Sequence, residues 1–70
     1  MLGTTAVVDG LRAEGFQVNV GYVQWVLRDR HIAMPEKGPG GVLIWTDADV
    51  QRLRSFLLRR GRGPEGGAHG

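Results

Sequence analysis

"GGVLIWTDADVQRL", Gly40 to Leu53, joins two opposed signals with nothing between them. Residues 42 to 45 are apolar and suited to a strand. Thr46 then stands as a helix cap with Asp49 three residues on, the spacing of a capping box. Val50, Leu53 and Leu57 keep the helical interval, and Phe56 flanks them. Arg59 and Arg60 load the C-terminal end, where cations are favoured, and Gly61 closes it. A strand that returns straight into a helix is the expectation. Asp47 and Asp49 resemble a carboxylate pair, but starting that helix accounts for both.

Upstream lies "HIAMPEKGPGG". Pro35, Pro39 and the glycines at 38, 40 and 41 forbid a helix. A two-stranded hairpin fits, with Ile32 to Met34 pairing with residues 42 to 45. Its loop would bear Glu36 and Lys37. A lone hairpin is unstable in water, so it must lean on helices through Ile32, Leu43 or Ile44, and Trp45.

Before it comes "NVGYVQWVLRDR". Asn19 is a favoured N-cap. Val20, Val23 and Leu27 line one face, with Val26 beside them. Gly21, Gln24 and Arg28 lie opposite, and Tyr22 and Trp25 fall towards the edges. The β-branched residues leave a strand open as an alternative; the spacing, the length and the cap favour a helix. "TTAVVDGLRAEGF" predicts a first helix over residues 5 to 14, capped by Thr4 or Thr5. Val7, Val8 and Leu11 share its buried face. Gly15 stops it, and Phe16 packs back on Leu11. Only "GFQV" separates the two helices, the short glycine-bearing connection of a helix-turn-helix.

Seventy residues allow one small domain. There is no cysteine, and His31 and His69 are too few and too far apart for a metal site, so no metal or cofactor is expected. No apolar run reaches the ~18 residues of a membrane span, and a signal-peptide pattern is lacking. A cytoplasmic, nucleoid-associated protein without a membrane partner is the expectation. Net charge is +2. The pI near 9.9 reflects arginines that outnumber the single Lys37. Arginine suits phosphate contact because its planar fork donates bidentately. The domain is expected over residues 1–60, with 61–70, "GRGPEGGAHG", a disordered Gly-rich tail.

The predicted order is helix, tight turn, helix, hairpin, helix. The fold class is mainly α with a small β-hairpin, a winged helix-turn-helix of three helices plus wing. In such modules the second helix enters the major groove. The candidate DNA-binding residues are Asn19, Gly21, Tyr22, Gln24, Trp25 and Arg28, with Lys37 at the wing tip on a phosphate. Gln24 suits adenine, and Arg28 suits guanine or phosphate. Trp25 could stack on the nucleic acid or cover the edge of the core, and both stay open. Arg52, Arg54, Arg59 and Arg60 form a basic face, solvated by default, with a secondary phosphate contact as the alternative.

"VNVGYVQWVLRDRHIAMP" resembles the recognition segment of MerR-type helix-turn-helix domains and the related excisionases. Val18, Asn19, Tyr22, Trp25, Ile32 and Pro35 fall at the family's places. "LIWTDADVQRLR" is similar to the family's end of wing and next helix, with Trp45, Thr46, Asp49, Val50 and Leu53 in register. The resemblance covers residues 4 to 58. It implies a winged helix that binds double-stranded DNA, as a transcriptional regulator or an excisionase-like architectural factor. The departures are Leu43, where the family often has an arginine, Gln24 in place of the usual arginine, and a longer first turn. The chain stops before the family's dimerisation helix, so no small-molecule effector is expected. Self-association or a partner protein on DNA would supply specificity. An enzyme is not expected: no nucleophile–base pair is evident. The alternative is a protein-interaction module that keeps the fold without binding DNA.

Overall fold

The computed structural model describes residues 2–64. It contains α1 (Thr4–Ala13), α2 (Val20–Arg28), a two-stranded antiparallel hairpin of β1 (Glu36–Lys37) and β2 (Leu43–Ile44), and α3 (Asp47–Arg59). Among the described residues the chain is therefore mainly helical, with three α-helices and one hairpin. No helix among the described residues is long and apolar enough to cross a membrane.

Each helix turns one apolar stripe inward. Val7, Val8 and Leu11 come from α1, Val23, Val26 and Leu27 from α2, and Leu53, Phe56 and Leu57 from α3. Phe16 and Val18 fill in from the α1–α2 turn, and Trp45 from the end of the hairpin. Leu11, Val23, Val26, Leu53 and Leu57 are fully buried. Burying such a side chain is worth about 1.5–3 kcal/mol, so these contacts hold the small domain together.

The helix starts differ in how they are satisfied. Asn19 accepts the Tyr22 amide at 2.8 Å and caps α2. Thr46 and Asp49 form the expected capping box on α3. At α1 the expected threonine cap is absent: Gly3 is the N-cap and offers no side chain. Thr4 lies inside the helix, and its hydroxyl accepts the Trp45 indole N–H at 3.0 Å. That bond satisfies the one polar group of a tryptophan only 3% exposed.

The helix ends share one device. The Phe16 amide donates to Leu11 O at 3.0 Å and the Gly15 amide to Arg12 O at 2.9 Å, a Schellman closure with Gly15 at φ 101°. After α3 the Gly61 and Arg62 amides donate to Leu58 O and Leu57 O, with Gly61 at φ 72°. After α2 the His31 amide donates to Val26 O, and the residue in the left-handed region is Arg30, at φ 58°. An arginine there is strained, because its Cβ crowds the backbone.

The hairpin departs from expectation. Its first strand is Glu36–Lys37, not Ile32 to Met34, and the register pairs Glu36 with Ile44 and Lys37 with Leu43. Two facts explain the shift. Residues 30 to 31 close α2 before the chain can extend, and Pro35 is buried and has no N–H for a ladder. The turn is correspondingly tight: the Gly38 amide donates to Val42 O at 2.6 Å across Pro39–Gly41. Gly40 and Gly41 both have positive φ there, 74° and 79°, which side-chain-bearing residues rarely adopt. Trp45 leaves the hairpin ladder, and its amide donates to Leu2 O at 2.9 Å.

The expected boundary at Gly61 also shifts. Arg62 to Pro64 fold back against the α1–α2 turn: the Gln17 amide donates to Arg62 O at 2.8 Å, and Gly63 is buried. Residues 65–70 of the expected tail lie outside the described residues.

Candidate nucleic-acid interface

α2 forms because the Asn19 cap starts it and a face of Val23, Val26 and Leu27 buries it. That burial fixes its rotation. Gly21, Gln24 and Arg28, spaced by three and four residues, then share the opposite, exposed face. The hairpin stands beside it. Gln24 and Arg28 from α2, and Lys37 and Gly41 from the hairpin, line one open groove of about 300 Å³. Its apolar floor is Leu27, Met34 and Leu43.

The structure thus brings Gly21, Gln24, Arg28 and Lys37 to one side of the molecule. Lys37 does not sit at a loop tip. It lies in β1, paired with Leu43, where two strands support its backbone. Neither Arg28 nor Lys37 forms an ion pair among the described residues. Their charges are therefore available to a ligand.

Tyr22 and Trp25 lie in a different setting. Trp25 stacks on His31 at 4.8 Å, and His31 on Phe56 at 5.2 Å. Tyr22 meets Trp25 at 5.5 Å and carries the Arg62 guanidinium over its ring at 4.0 Å. Arg60 lies over Phe56 at 5.0 Å. This aromatic–cation stack ties α2 to the end of α3 and packs the inner sides of both rings. Trp25 is still 37% exposed, so its outer edge faces solvent next to Gly21 and Arg28. Asn19 is separate again. Its carbonyl oxygen is engaged as the cap, and the residue borders a polar cleft with Arg12, Gln17 and Arg62.

Of the two acids that open α3, Asp49 has structural partners. Asp49 Oδ2 accepts the Thr46 amide at 3.0 Å and its hydroxyl at 2.9 Å, and Oδ1 accepts Arg52 Nη1 at 2.8 Å. The Thr46 backbone bond chiefly holds the Asp49 carboxyl below its ordinary pKa, with help from the Thr46 hydroxyl and Arg52, and against the effect of burial. Arg54 is likewise engaged, donating to Glu14 at 2.8 Å.

Sequence reasoning missed Arg12 and Arg62. The glycine-rich composition hid the second. A local signal was present: "RGR" repeats the stop-then-pack pattern of "EGF", with Arg62 in the place that Phe16 occupies after Gly15. No protein-family model matches the chain, and no curated protein or solved structure is significantly similar to it.

Proposed function

We propose that the chain is a small sequence-specific double-stranded DNA-binding protein with a winged helix-turn-helix fold. In this reading α2 enters the major groove and the hairpin is the wing on the backbone. It acts as a transcriptional regulator or an excisionase-like architectural factor at the nucleoid, without catalysis. The observation that carries the proposal is the convergence of Gln24, Arg28 and Lys37 on one open groove. An α-helix with its side chains is about 10–12 Å across, which a major groove about 12 Å wide admits. Gln24 can pair with an adenine edge, Arg28 with guanine or phosphate, and Lys37 with phosphate.

Fluorescence anisotropy with duplex DNA across a salt series tests the proposal. Affinity should fall steeply with salt as counterions are released. Gln24→Ala and Arg28→Ala should each weaken specific binding by about 1–3 kcal/mol, and Lys37→Ala should weaken all sequences alike and lower the salt slope by about 1. No binding to any duplex at low salt would overturn it.

One observation favours a protein-interaction module instead. Met34, on the apolar groove floor, and Val42, next to Leu43 of that floor, are 53% and 59% exposed. That reading predicts unchanged NMR spectra on adding DNA.

A further inference from the structure

Arg12, near the end of α1, and Arg62, beyond α3, come from opposite ends of the chain to line one open polar cleft. Gln17 and Asn19 line it with them, and its volume is about 480 Å³. Arg62 is held from several directions. Its amide donates to Leu57 O at 2.8 Å, its carbonyl accepts the Gln17 amide at 2.8 Å, and its Nη1 donates to Gln17 O at 2.9 Å. The guanidinium plane rests on the Tyr22 ring. One Nη1 hydrogen bond leaves most of the fork's five donors free. Arg12 is exposed, and neither arginine forms an ion pair among the described residues. The nearby acid Glu14 is engaged by Arg54.

Two guanidiniums on one cleft repel each other unless an anion lies between them. Fixing one in advance lowers the entropy lost on binding such an anion. We propose that the Arg12–Arg62 cleft seats one phosphate of the DNA backbone, at the end of α2 away from Lys37. This inference rests on the DNA-binding reading. It places cations at both ends of α2, a helix about 13 Å long, so a phosphate contact is expected at each end of that helix. The segment after α3 is then part of the binding surface.

Two measurements test it together. In the salt series, Arg12→Ala/Arg62→Ala should lower the slope by about 1, while Gln24→Ala leaves the slope in place. In NMR, millimolar inorganic phosphate without DNA should shift the amides of residues 17 to 21 in the wild type and not in the double variant. Arg12→Ala alone provides the folded control, because that side chain is exposed and forms no hydrogen bond or ion pair among the described residues; it should lower the slope in the same direction. Wild-type duplex binding with an unchanged slope in the double variant would overturn the seat and leave the DNA reading standing. Phosphate shifts in a protein that binds no duplex would support an anion seat for free phosphate and overturn its assignment to DNA.

Discussion

α2 and α3 are built alike, with branched aliphatic residues inward and polar residues outward, but they use their arginines differently. On α3, Arg52 binds Asp49 and Arg54 binds Glu14, both at 2.8 Å. On α2, Arg28 has no acid partner among the described residues, and neither does Lys37 beside it. A charge already paired contributes to the fold and offers little to a ligand. A charge without a partner contributes almost nothing to stability and keeps its donors free. Arg59, in the last turn of α3, also lacks an acid partner among the described residues, so the contrast lies between the first two turns of α3 and the exposed face of α2.

Leu53→Ala should break α3 most severely. The side chain is fully buried, so the expected loss is about 2–5 kcal/mol, read by urea or thermal unfolding. For a domain this small that is much of the total stability. Gln24→Ala and Arg28→Ala should do the opposite: unfolding changes by less than about 0.5 kcal/mol while DNA affinity falls. A large loss of stability in either would erase the distinction between the two helices.

The capping box sharpens the contrast at intermediate size. Thr46→Ala should cost about 1–2 kcal/mol. Its bonds also make stability depend on pH. The folded Asp49 carboxyl has a lowered pKa, so the unfolded chain binds more protons as pH falls through the ordinary value of about 3.9. The Asp49 contribution is full above that value and is lost as pH falls through the lower folded value. Unfolding midpoints measured from neutral to acid pH should show this decline, and Asp49→Asn should flatten it.

A small gain in stability is expected at the end of α2. Arg30 holds the left-handed position that glycines hold after the other two helices. Arg30→Gly should stabilise the fold by about 0.5–1 kcal/mol, the relief of strain less the extra freedom of glycine when unfolded. A loss of stability would show that Arg30 makes a contact outweighing that strain.

Local chemistry made much of this molecule legible in the sequence. The Asn19 cap, the Thr46–Asp49 box, the Gly15 stop with Phe16 folded back, and the aliphatic stripes of all three helices depend on residues within four or five positions of one another. The shared face of Gly21, Gln24 and Arg28 follows from helical spacing as soon as the buried face is known. The hairpin register was not legible. Nothing near Glu36 in sequence reveals that Arg30 closes α2 and that Pro35 is buried, and these set where pairing begins.

The sequence by itself determined the helices, their inward faces and the polar residues left on the exposed face of α2. Only the tertiary structure decided how those residues group. It set Lys37 beside Gln24 and Arg28, drew Tyr22 and Trp25 into a stack with Phe56, and brought Arg62 to Arg12. Each of those groupings joins segments distant along the chain. Propensity and periodicity act over a few residues, whereas long-range neighbours are chosen by which packing buries the three apolar stripes together.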